Sequence, residues 1–65
     1  MTDKKFIKLP TVMDLTGYRR TSIFDKVAEG SFPAPVKLGP RAVAWVSEEI
    51  ESWMDARIAE RDSTI

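Results

Sequence analysis

Gly17-Tyr18-Arg19-Arg20-Thr21-Ser22-Ile23-Phe24-Asp25-Lys26-Val27, "GYRRTSIFDKV", is the stretch on which the fold turns. Ile23, Phe24, Val27 and Ala28 share one arc of a helical wheel, and Thr21, Ser22, Asp25, Lys26 and Glu29 point the other way. The pattern predicts a helix from about Arg20 to Glu29, ended by Gly30 in the left-handed position after the last turn. Arg19, Ser22 and Lys26 lie along one outward ridge. Arg20 falls on the apolar meridian, but at the helix tip its long side chain can leave the core. Two adjacent cations therefore stand at a helix N-terminus, where unpaired backbone N–H groups already favour an anion.

Upstream, Phe6-Ile7-Lys8-Leu9 reads as a short extended segment. Pro10 suits the first turn of a helix over 10–16, with Val12 and Leu15 on its inner side and Gly17 closing it. Two short helices joined by a turn containing glycine make a helix-turn-helix. Downstream, Pro33 and Pro35 forbid a continuing helix. Alternation in Val36-Lys37-Leu38 and around Val43 and Trp45, with turn chemistry at Gly39-Pro40-Arg41, predicts a hairpin. Its expected inner face is Val36, Leu38, Val43 and Trp45, with Arg41 near the tip. Ser47 is a suitable N-cap for a last helix, and Glu48 and Glu49 suit its positive end. That helix carries Ile50, Trp53, Met54 and Ile58 on its apolar stripe, and 61–65 reads as a frayed tail. The expected fold is mainly α with a small β-hairpin, a winged helix-turn-helix. In that architecture the second helix enters the major groove N-terminus first.

The totals agree with this reading. A chain of 65 residues is expected to be one domain, 1–65, with an ordered core of about 6–58. Hydrophobic residues make up 43%, enough to fold without staples, and there is no cysteine or histidine. Disulfides, thiolate nucleophiles and imidazole chemistry are excluded. No acid/base pair or phosphate loop points to an enzyme, and no cofactor or metal is expected. The start has no apolar signal region and no run is long enough to span a membrane, so the expected location is cytoplasmic. The zero net charge conceals a division: residues 1–46 hold eight cations and four anions (+4), and residues 47–65 hold two and six (−4). The bulk value of zero argues weakly against a nucleic-acid partner, but a basic front with an acidic rear is informative.

The segment "LPTVMDLTGYRRTSIFDKVAEGSFPAPVKLGPRAVAWVSEEIESWM" resembles the AlpA family of small prophage and genomic-island regulators, over roughly residues 6 to 54. "TG" before a short helix, "EGSFPAPVKLG", and "RAVAW" before an acidic helix ending in "SWM" fall in family order. The resemblance implies a winged helix-turn-helix of MerR/excisionase-like type, and a DNA-binding activator of integrase genes or a protein acting directly in excision, an excisionase. Family members usually carry Ser or Thr at the position of Arg19, the N-cap of the recognition helix. Losing that cap costs ~1 kcal/mol.

Arg19 and Arg20 are the favoured DNA contacts. Thr21 and Ser22 either support the helix start or read base edges, and Lys26 is a phosphate contact. Asp25 either accepts from a cytosine amine or, preferably, pairs with a nearby cation. Tyr18 either bonds a phosphate or packs its ring. Lys37 and Arg41 are hairpin surface or, for Arg41, a minor-groove or phosphate contact. Trp45 and Trp53 are expected in the core, and "FPAP" sets the path from helix to hairpin. The expected partner is double-stranded DNA, with integrase or RNA polymerase as possible protein partners. A monomer reads about 4–6 base pairs, too few for genomic specificity, so cooperative or oligomeric binding is expected. A protein-interaction module using the acidic last helix is the competing reading.

Overall fold

In the computed structural model, which describes residues 4–63, the elements are β1 (Phe6–Ile7), α1 (Leu9–Thr16), α2 (Arg20–Glu29), β2 (Val36–Gly39), β3 (Ala42–Val46) and α3 (Ser47–Ser63). The molecule is mainly helical with a small antiparallel sheet, a winged-helix arrangement. Helix α1 takes in Leu9 as well as Pro10, one residue earlier than the extended reading of 6–9 allows. It ends at Gly17 (φ 76°), whose N–H donates to the Met13 carbonyl at 2.8 Å. Helix α2 has the expected bounds and ends at Gly30 (φ 82°). These left-handed glycines make both helix ends sharp, and Gly17 keeps the turn between α1 and α2 short.

The hairpin gains a third strand. Strand β3 is central, in the order β1-β3-β2, with Phe6 opposite Val46 and Ile7 opposite Trp45 on one side. On the other side Val36 faces Ala44, Lys37 faces Val43, and Gly39 faces Ala42, with an irregularity between Lys37 and Gly39. This register corrects the expected inner face. Cross-strand partners share a face, so Val36 lies with Ala44, opposite to Val43 and Trp45. Leu38 sits in the irregularity. Both are exposed, at 36% and 47%, and the buried places on β3 belong to Ala44 and Trp45.

Val12 of α1, Ile23 of α2, Trp45 of β3 and Ile50 of α3 meet in the core with Phe32 from the passage after α2. Trp53 and Met54 pack against it half-buried. Leu15 and Ile58, expected on inner stripes, are 48% exposed and line a cleft between α1 and α3. Ala28 is also exposed, because the inner arc of α2 narrows to Ile23, Phe24 and Val27. Strand β3 passes straight into α3 at Val46–Ser47, and the Ser47 N–H donates to the Lys5 carbonyl. Ser47 is thus the first residue of the helix, fixed by β1. Helix α3 continues through Ser63, beyond the end of its apolar stripe, so 61–63 of the expected frayed tail are helical. Residues 64–65 of that tail lie outside the described residues.

The two tryptophans fix the proline-rich passage. Trp45 Nε1 donates to the Pro33 carbonyl and Trp53 Nε1 to the Ser31 carbonyl, each at 2.9 Å. Phe32, between them, meets Trp53 edge-on at 4.8 Å between ring centroids. The path from α2 to the hairpin is therefore held on both sides of a buried phenylalanine.

Candidate nucleic-acid interface

Helix α2 starts without a side-chain cap. Arg19 has extended backbone (φ −86°, ψ 164°), and its carbonyl accepts the Ile23 N–H at 3.0 Å. The N–H groups of Arg20, Thr21 and Ser22 precede the first intrahelical bond and have no acceptor in the helix. Arg19, Arg20 and Thr21 are exposed and Ser22 is half-buried. The result is an open, positively polarised helix tip bearing two guanidinium groups.

Arg20 leaves the core by lying across an aromatic ring. Its guanidinium carbon stands 5.6 Å from the centroid of Phe24, one turn further on. Phe24 in turn meets Trp45 at 5.9 Å. Trp45 and Val43 share a face of β3, and Lys37 pairs with Val43, so Lys37 belongs to the α2-facing side of the sheet. The series Arg20, Phe24, Trp45, Val43, Lys37 thus ties the helix tip to one side of the hairpin. Arg41 is exposed in the two-residue turn at the hairpin tip.

Lys26 and Tyr18 form a separate locus. Lys26 Nζ stands 5.1 Å from the Tyr18 ring centroid. The Tyr18 ring packs edge-on against Trp53 at 5.8 Å and Phe32 at 6.4 Å. Its N–H donates to Thr16 Oγ1, which binds the Val12 carbonyl, so the turn between the helices is pinned at its start. Lys26 lies about 9 Å along the helix axis from Arg20.

Charge is segregated by element. Among the described residues the ion pairs are Arg57–Glu60 and Arg61–Asp62, both within α3. Arg19, Arg20, Lys26, Lys37 and Arg41 have no carboxylate partner there. Asp25, expected to pair with a neighbouring cation, is exposed and unpaired among the described residues. The basic groups therefore keep their charge available for an anion. The role of Phe24 as the platform for Arg20 escaped the sequence reading. The i, i+4 spacing of the two residues carries that signal. No helix among the described residues is long and apolar enough to cross a membrane.

The family described as prophage CP4-57 regulatory protein (AlpA) matches residues 5–58. The uncharacterized protein ORF88 of Enterobacteria phage P4 is 41% identical over 61 residues, covering 94% of this chain and 69% of its own length. The DNA-binding transcriptional activator AlpA of Escherichia coli (strain K12) is 30% identical over 59 residues, covering 82% of this chain and 84% of its own length.

Proposed function

Because the chain belongs to the AlpA family of prophage regulatory proteins, we propose that it is a sequence-specific regulator that binds double-stranded DNA in the cytoplasm and governs integrase expression or excision of a mobile element. The observation that carries this reading is the open start of α2, with Arg19 and Arg20 exposed and unpaired among the described residues. The helix enters the major groove tip first, and α1 braces the backbone. Arg19 and Arg20 reach guanine edges or phosphates, and Thr21 and Ser22 stand beside them. Lys37 and Arg41 on the hairpin meet the neighbouring backbone or minor groove, and Lys26 and Tyr18 a phosphate further along.

There is no covalent step. Lysine and arginine displace condensed counterions and fix the register, and the helix tip reads a few base pairs. Activation and excision begin from the same bound and bent DNA. Activation then engages RNA polymerase, and excision organises the integrase. The relative named as a transcriptional activator favours the first. A footprint of about 4–6 base pairs calls for several copies at neighbouring sites.

Gel shifts across a salt series test the reading. Arg19→Ala with Arg20→Ala is expected to weaken specific binding by roughly 10–100-fold and to flatten the salt dependence by one to two phosphate equivalents, on the order of ~1 per cation removed. Unchanged affinity and slope would move the function to a protein partner on acidic α3. Selection of bound sequences from randomised duplexes then gives the site and its repeat pattern.

A further inference from the structure

Among the described residues the sheet has two open edges, and they differ in charge. Strands β1 and β2 both run antiparallel to β3, so they run parallel to each other on either side of it. The Ser47 N–H donates to the Lys5 carbonyl. Residues along an antiparallel ladder alternate between bonding inward and outward. Phe6, next to Lys5, therefore turns its N–H and C=O away from β3. On the other edge Val36 and Ala44 form the bonded pair, and Lys37 turns its N–H and C=O outward. Phe6 pairs with Val46 and Val36 with Ala44, which puts Phe6 and Val36 on one face at opposite edges. Phe6 is 53% exposed and Val36 36%.

Lys4 and Lys5, both exposed, precede Phe6 and have no carboxylate partner among the described residues. Val36 opens onto a shallow cleft of about 680 Å³, lined also by Pro33 and Ala34 and by Glu48 and Glu49. Neither glutamate is in an ion pair among the described residues. A basic edge with an exposed phenylalanine and an acidic edge with an apolar cleft are complementary.

We propose that the β2 edge and its acidic cleft receive the Lys4–Phe6 segment of a second copy of the chain, so that the sheet continues in parallel from copy to copy. In this register Phe6 of the incoming copy lies beside Val36. Its N–H donates to the Pro35 carbonyl, and its carbonyl accepts the Lys37 N–H. Pro35 lacks an N–H and has to supply only its carbonyl. Two residues back on the same face, Lys4 of the incoming copy lies beside Ala34 and meets Glu48 and Glu49. Each copy in a row offers one edge of each kind to its neighbours, so the contact chains instead of closing. All copies point the same way, and neighbouring DNA sites are direct repeats. The proposal deepens the adjacent-site binding read above, and the contact itself forms without DNA.

The chain has no cysteine, so introduced cysteines report contact without background. A Phe6→Cys chain mixed with a Val36→Cys chain under mild oxidation is expected to give the mixed cross-linked dimer. A chain carrying both substitutions is expected to give a ladder of multimers. Glu48→Lys with Glu49→Lys in the Val36→Cys chain should slow the cross-link about tenfold, and Lys4→Glu with Lys5→Glu in the Phe6→Cys chain should restore it. Circular dichroism checks that each variant is folded, and Glu48→Gln with Glu49→Gln replaces the reversal if it is not. Predominant Phe6→Cys homodimers overturn the proposal, because they mean two-fold pairing. So does mixed cross-linking no faster than that of an Asp14→Cys with Val36→Cys control. Binding to a single DNA site is measured on the same preparations. Cross-linking without DNA binding leaves the edge contact standing and removes the DNA reading, and DNA binding without cross-linking does the reverse.

Discussion

Arg19 holds a position that favours Ser, Thr, Asn or Asp, and its side chain makes no capping bond. Arg19→Ser is expected to raise stability by about 1 kcal/mol in urea melts while lowering DNA affinity. A gain in stability at constant affinity would show that Arg19 touches no DNA. The glycines give a second residue-scale prediction. A side chain at Gly17 or Gly30 would meet no atom within 4 Å, yet both have positive φ. Gly17→Ala and Gly30→Ala are each expected to cost about 1–2 kcal/mol from backbone strain alone, read from the melting midpoint. Both glycines were legible in the sequence because a left-handed helix end has a one-residue signature. The solitary exposure of Asp25 was not, since a carboxylate among cations reads equally well as paired or solvated.

The hairpin shows what element-scale patterning conveys and where it stops. Gly39-Pro40-Arg41 announced the turn, and alternation announced the two strands. The faces came out differently because one extra residue near Leu38 slips the pairing, and a one-residue slip exchanges the two faces of a strand. A strand of two residues, β1, carries too little pattern to reveal that it pairs with β3. The acceptors of the tryptophan N–H groups are likewise set by long-range packing. These bonds differ in depth: the one from Trp45 is partly buried and the one from Trp53 is exposed. Trp45→Phe is expected to cost roughly 2–4 kcal/mol, because it leaves both a cavity and a desolvated carbonyl. Trp53→Phe is expected to cost about 1 kcal/mol, since water replaces the donor. Chemical denaturation of the two variants side by side checks the order.

For the whole molecule, a chain of 65 residues has little stability in reserve. Ile23 is fully buried on the helix proposed to read DNA. Ile23→Ala is expected to cost about 3 kcal/mol, a large share of the total for a domain of this size. Circular dichroism melts should show the loss, and DNA binding should fall in step with the folded fraction. Cations on the helix tip and hairpin and anions on α3 were countable from the sequence, but the approach of Glu48 and Glu49 to Val36 on the hairpin was not, because it follows from β3 leading directly into α3. The direct passage from β3 to α3 also has a mechanical consequence. With no spacer at Val46–Ser47, the direction of β3 sets the direction in which α3 starts. One residue inserted at that joint would swing Ile50 about 100° around the helix axis and out of the interior, so this seam has no tolerance for added length.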